Sequence, residues 1–283
     1  MHKATGLSNY VFAINHVAGQ FVIRISPDPD KIDAFRKEYW ATLKVREAGV
    51  PTPEILEVGN EIIPEPYMIT RRVSGEEATH HPKRLSIIRE IGRYASIINS
   101  IPTVGFGSYF EWSIEGATAG KAWKDYVEKE WELDKKLDIL TKQKMLTSTE
   151  AAHLRSVIQS ASRRHPKASL NHGDLRLKNV IVDEDGEIAA IVDWEECLST
   201  IAPQWELSIA LHDLSIDEKQ EFIDGYGLNF EQIEQMIPLI RAFNIVNYAP
   251  AVEAAANSKE GDHLKDFRLR LRGYLDLYCS ASL

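Results

Sequence analysis

The sequence predicts an α+β fold, with a strand-rich N-terminal part to about Val73 and a mostly helical remainder interrupted by one β-hairpin. Three observations carry this. Short apolar runs at 10–14, 21–25 and 67–73, rich in Val, Ile, Phe and Tyr, stand between turn residues and read as strands. Helix-start signals dominate afterwards: Thr147-x-x-Glu150, Ser215-x-x-Glu218 and Asn229 each precede a helical pattern. Between them, Val180-Ile181-Val182 and the run 188–192 flank Asp185-Gly186, the turn chemistry of a hairpin.

Taken in order, Gly6, Ser8 and Asn9 form a small-residue turn feeding the first of these strands, and Ala18-Gly19 leads to the next. Backbone N–H groups of such a turn can lie over phosphates, although a plain hairpin reads the same way. Asp28-Pro29-Asp30 opens a helix over 31–48, closed by Gly49 with Pro51 beyond, and Phe35, Tyr39, Leu43 and Arg46 share one of its faces. Further helices are expected over 83–99, 121–140 and from Thr147 to about Ser162. His80-His81-Pro82 reads as surface, because no carboxylate cluster stands near it in the sequence to make a metal site. The stretch 115–122 imitates a phosphate-binding loop and fails as one: three residues rather than four separate its glycines, and Ala122 stands where a hydroxyl is needed. After the hairpin, helices begin at Pro203, Ser215 and Asn229, with a bend expected near Pro238 or Pro250 and a last helix over 262–279.

Composition bounds the function. A chain of 283 residues with 44% hydrophobic and 27% charged residues has enough apolar material for one large or two moderate cores. A net charge of −9 argues against nucleic acid or an anionic membrane surface as partner. Two cysteines, Cys197 and Cys279, make no disulfide framework, and the N-terminus has no apolar signal region. A cytoplasmic, soluble enzyme acting as a monomer or homodimer is the expectation.

The chemistry concentrates in residues 169–196, where His172-x-Asp174 is followed by Asn179 and, at the end of an apolar run, by Asp193. Phosphoryl transfer needs such groups: one carboxylate to orient the acceptor hydroxyl and take its proton, an amide oxygen and a second carboxylate for metal ions. The intervening hairpin returns Asp193 to the side of Asn179, so two hard oxygen donors can face one Mg²⁺. A His-x-Asp-x-x-x-x-Asn pattern alone recurs by chance in about 3% of chains this long. The hairpin ending in an aspartate makes coincidence rarer.

HGDLRLKNVIVD followed by IVDWEE resembles the aminoglycoside phosphotransferase family, small-molecule kinases with a bilobal protein-kinase-like fold. The resemblance implies an N-terminal nucleotide-binding lobe over 1–73 and a C-terminal catalytic and substrate-binding lobe over 74–283. It implies Asp174 as the catalytic residue, Asn179 and Asp193 as Mg²⁺ ligands, and ATP or GTP as phosphoryl donor. Arg24, on the third strand of such a lobe, would bind the α- and β-phosphates, braced by Glu38 on the helix. Arginine here replaces the lysine many relatives carry, keeping the charge but changing the shape. Gly6, Ser8 and Asn9 would cover the phosphates, and the hinge at Arg71 to Val73 would hold the base. Only about ten residues separate Asp193 from the helix at Pro203, too few for a peptide platform, which favours a small acceptor.

From Pro203 to the C-terminus there are 13 Asp and Glu against 7 Lys and Arg. The resemblance implies that helices after the metal-binding aspartate shape the acceptor pocket, so Glu206, Asp213, Asp262 and Asp266, with Glu253, are candidates for holding a cationic sugar, although any single one of them reads more readily as part of a solvated helix face. Glu206 can also be a first-turn acid favoured by the helix dipole. The run Gly105-Phe106-Gly107 followed by the Trp123 helix is most similar to the hygromycin B phosphotransferase branch. An amino-alcohol or sugar kinase of the same fold stays open, as does a nucleotide-binding regulatory protein without turnover.

Overall fold

The computed structural model describes residues 2–5, 9–113, 120–164, 166–258 and 264–271. Five antiparallel strands, β1 (His2–Thr5), β2 (Tyr10–His16), β3 (Gly19–Ile25), β4 (Ile55–Gly59) and β5 (Tyr67–Arg71), form one sheet in the order β1-β2-β3-β5-β4. Arg24 on β3 stands between Val11 of β2 and Met68 of β5 in register. Helix α1 (Lys31–Glu47) crosses from β3 towards β4.

The buried face of α1 carries Phe35, Glu38, Ala41, Thr42 and Val45, a helical three-four spacing. The face expected from sequence was different, and Tyr39 and Leu43 are 40% and 43% exposed. The cause is tertiary: Ala41 and Val45 pack in one core with Ile191, Trp194 and Leu207 of the C-terminal part, while Glu38 reaches Arg24 on the sheet. Those two demands rotate the helix away from its most aromatic stripe.

The chain then forms β6 (Glu76–Glu77) and α2 (Arg84–Asn99). The helix expected over 121–140 is broken instead. Helical turns at Trp123–Asp125 and Tyr126–Glu130 lead to Glu132, a left-handed residue with φ 52°, and only then to α3 (Leu133–Lys142). In the second turn Trp131 N–H donates to the Tyr126 carbonyl at 2.8 Å, a five-residue step that sets the two rings over each other, 11° from parallel. Burial of this aromatic cluster, which includes Trp205 and Phe243, overrides regular helix geometry.

Helix α4 (Ser148–Ser160) follows its capping box, and β7 (Ala168–Asn171) pairs with β10 (Leu198–Ile201). Strands β8 (Val180–Val182) and β9 (Ile188–Ile191) make the expected hairpin, flanked by β6. Helices α5 (Gln204–Ala210), α6 (Ile216–Tyr226), α7 (Phe230–Asn247) and α8 (Ala249–Asn257) complete the part. The capping boxes at Ser215 and Asn229 form, and the expected bend falls at Tyr248, with Pro250 in the first turn of α8.

His81 is buried rather than at the surface. Its Nδ1 accepts the Lys83 N–H at 3.2 Å, and its ring fills the space over Gly186, where a Cβ would lie 2.9 Å from His81 Cε1. Among the described residues no group of three or more His, Cys, Asp or Glu side chains is gathered to hold a metal ion, and no helix is long and apolar enough to cross a membrane. Of the sequence expectations, Gly6, Ser8, Asp262, Cys279 and most of 115–122 lie outside the described residues.

Candidate active site

A cleft of about 730 Å³ opens between the N-terminal sheet and the β8–β9 hairpin. Val11 and Val22 line it from the sheet, Ile181 and Val192 from the hairpin side, and Arg71, Arg72 and Val73 at its edge. Flat apolar walls of this kind suit a planar base, with backbone groups at one edge to read it. Asn9, Arg24, Glu38, Asp174 and Asp193 share the same cleft. Sequence positions far apart are thus brought together.

Arg24 and Glu38 meet at 2.5 Å, both largely buried. Burial opposes the guanidinium charge, and the carboxylates of Glu38, Asp193 and Glu195 raise the Arg24 pKa above its ordinary value. The cation is therefore held permanently in the cleft.

The loop after β7 is built around His172, which is fully buried. Its Nδ1 accepts the Asp174 N–H at 3.3 Å, which leaves the proton on Nε2 to be donated to the Val192 carbonyl at 3.1 Å. Burial pushes the ring pKa down to about 4, so it stays neutral and works as a spacer between loop and hairpin. Gly173, at φ +82°, lies so close to the Glu196 carbonyl that a Cβ would come within 2.2 Å. This turn sends Asp174 into the cleft.

Asn179 donates from Nδ2 to the Asp174 carbonyl at 2.8 Å and to Asp174 Oδ2 at 3.0 Å. The Val192 N–H donates to the Asn179 carbonyl at 2.9 Å, the backbone bond that seats Asp193 beside Asn179. Asp193 takes left-handed geometry, φ 66°. Burial, then the charges of Glu195 and Glu38, push its pKa up to about 6 against the pull of Arg24. With both amide hydrogens of Asn179 engaged, its oxygen remains as a ligand beside a carboxylate crowded by other acids. That donor set fits a hard divalent cation, whose charge would relieve the crowding.

Three residues belong to this site that sequence reading did not single out. Arg176 reaches Asp174 Oδ1 at 2.5 Å, and Lys178 reaches Oδ2 at 2.8 Å, so the carboxylate is clamped from both sides. Their positions, two and four residues after Asp174 in a tight loop, were the available signal. Glu195, two residues after Asp193, lines the cleft and pairs with Lys31 at 3.1 Å. Arg71, which the sequence reading did expect here, lines the cleft edge and pairs with Glu54 at 2.7 Å.

A second cavity of about 620 Å³ adjoins the loop through Gly173 and Arg176. Asp213 lines it and pairs with Arg176 at 3.4 Å. Glu206 does not take part in it, contrary to the sequence expectation. It is fully buried beneath the loop, and its Oε2 accepts the His172 N–H at 2.6 Å. Burial pushes its pKa up to about 7. A first-turn helix acid was drawn inward because the loop backbone needed an acceptor there. Asp266 is exposed and lines neither cavity.

The sequence pattern of the phosphotransferase enzyme family (APH) matches residues 4–239. No curated protein matches the chain by sequence. Among solved structures it is similar to a thermostable mutant of aminoglycoside phosphotransferase APH(4)-Ia in ternary complex with AMP-PNP and hygromycin B. The identity there is 18%, with 97% of this chain and 92% of that chain covered and a TM-score of 0.68. It is also similar to the GDP and kanamycin complex of APH(2″)-IIIa, at 14% identity, 96% and 91% coverage and a TM-score of 0.67.

Proposed function

Because the chain belongs to the phosphotransferase enzyme family, we propose that it transfers the γ-phosphoryl group of ATP or GTP to a hydroxyl of a small molecule held in the second cavity. The observation that supports this most is the convergence of Asp174, Asp193 and the Arg24–Glu38 pair on one cleft, with Asn179 bonded to Asp174 behind it, and the loop through Gly173 and Arg176 that joins this cleft to the second cavity. The lobes of this reading divide at residues 73 and 74, where the chain leaves the hinge.

In the reaction a bond forms between the acceptor oxygen and the γ-phosphorus while the bond from that phosphorus to the β,γ-bridging oxygen breaks, releasing the nucleoside diphosphate. Asp174 orients the hydroxyl and receives its proton. Arg176 and Lys178 hold the Asp174 carboxylate in place; Arg176 can turn towards Asp213, 3.4 Å away, as the acceptor enters. Arg24 binds the α- and β-phosphates and Glu38 fixes its direction. Asn9 would meet the phosphates and the backbone from Arg71 to Val73 the base; all four residues line the cleft. Asn179 and Asp193 would hold Mg²⁺, which when bound neutralises phosphate charge. Positioning and charge compensation supply most of the rate.

Aminoglycosides are one acceptor class for this reaction, since the similar structures are complexes with hygromycin B and with kanamycin. A second reading, a kinase of a metabolite, is favoured by one observation. The acids left at the second cavity are Asp213 and Glu196, against Lys136, Arg176 and Arg270. The test is nucleoside diphosphate release with Mg-ATP or Mg-GTP across aminoglycosides, sugars, hydroxy acids and amino alcohols. Stimulation by one compound, lost without Mg²⁺ and in Asp174→Asn, is expected. Nucleotide binding with no stimulation by any hydroxyl compound would favour a regulatory protein without turnover.

A further inference from the structure

The second cavity has a chemical bias opposite to the one its acidic helices suggest. Three of its lining side chains gather around Trp131. Lys136 Nζ sits over the indole at 4.9 Å and forms no ion pair among the described residues. Trp131 Nε1–H donates to Asn247 Oδ1 at 3.1 Å, and Trp205 packs edge-on at 5.3 Å between ring centroids.

The hydrogen-bond ledger at this wall is one-sided. Because Asn247 Oδ1 is taken by an indole N–H, the amide orientation is set and Nδ2 is left as a donor. That Nδ2 and Trp205 Nε1 are both buried without a hydrogen-bond partner. Asn244 Oδ1 is an orphan acceptor nearby, so donors outnumber acceptors, and a further donor, Lys136, is an amine whose pKa burial pushes down to about 8, so that an anionic neighbour would favour its charged form. Arg270 adds a second cation to the lining, whereas Arg176 is already paired with Asp174 and Asp213. Buried donors lacking acceptors are costly, and a ligand presenting anionic oxygens would satisfy them.

We propose that the acceptor substrate carries an anionic oxygen group, a carboxylate or a phosphate, seated against Lys136, Asn247 and Trp205, while its hydroxyl faces Asp174. This rests on the phosphoryl-transfer reading above for the role of the occupant, and on the cavity itself for its charge. A polycationic sugar would bring its ammonium groups against Lys136 and Arg270.

The experiment measures binding to the full chain with ADP present, using two matched sets of compounds. One is glucuronate, glucose 6-phosphate, glucose and glucosamine; the other is glycerate, glycerol 3-phosphate, glycerol and serinol. In at least one set an anionic member should bind tenfold or more tightly than its neutral and amine counterparts, and the preferred arm separates carboxylate from phosphate. Lys136→Met should abolish that preference, as should Asn247→Asp, which keeps the acceptor for Trp131 but adds a negative charge; ADP affinity should not change. Preference for the amine, parity of anionic and neutral members in both sets, or a preference that survives both substitutions would overturn the proposal. Phosphoryl transfer to the same compounds is read separately. An anion bound but never phosphorylated would count against the reaction and leave the charge preference standing.

Discussion

Glu206→Gln isolates a buried carboxyl whose titration should govern stability near neutral pH. Burial raises its pKa from 4.5 to about 7 in the folded protein. Below 4.5 both folded and unfolded chains hold the proton, and the group imposes no penalty. Between 4.5 and 7 the unfolded chain ionises while the folded one does not, so stability falls as pH rises, at about 1.36 kcal/mol per unit. The loss sums to about 3 kcal/mol and is complete above the folded pKa. Glutamine keeps an oxygen for the His172 N–H, which Glu206 accepts at 2.6 Å, and removes the titration. Urea unfolding of both proteins at pH 5, 6, 7 and 8 reads the difference directly, because other titrating groups are common to the two. The variant should be close to the parent at pH 5 and more stable by about 2–3 kcal/mol at pH 8. Parallel pH dependences would refute the buried placement of this carboxyl.

Other outcomes follow from the same contacts. Gly92→Ala should destabilise by several kcal/mol in urea unfolding, because a Cβ there would lie 2.1 Å from the Phe222 carbonyl oxygen and force α2 and α6 apart. Trp131→Ala should cost about 3–5 kcal/mol, since the ring is buried against Tyr126, Trp205 and Phe243. Glu38→Gln removes the negative charge that pairs with Arg24 at 2.5 Å while keeping an acceptor oxygen, and should lower kcat/KM for the nucleotide about tenfold to a hundredfold. An unchanged kcat/KM would remove the bracing role given to Glu38.

The strands, the hairpin and the capped helices were legible because each rests on a local pattern. Thr147, Ser215 and Asn229 all cap the helices they precede. That Asp174, Asn179 and Asp193 come together was legible through their spacing around a hairpin, whereas their roles are the proposal made above. What sequence could not show depended on contacts from afar. The packing demands on Glu38 and Ala41 turned α1, the aromatic cluster broke the helix at Glu132, and the His172 N–H drew Glu206 inward. The acidic tally after Pro203 was a coarser guide for the same reason, since a count of charges does not say which of them reach a cavity: Asp213 does, whereas Glu206 and Asp266 do not. Lys136, which lines that cavity, precedes the counted segment altogether.

The central claim is that Asp174 handles the acceptor hydroxyl in a direct phosphoryl transfer. The most direct test is single-turnover transfer from labelled ATP to whichever hydroxyl compound stimulates turnover, in the parent and in Asp174→Asn. The account predicts a phosphate ester formed in step with ADP, and a rate lower by about 10²–10⁴ in the variant with nucleotide affinity retained. Transfer at the parental rate in Asp174→Asn would contradict it.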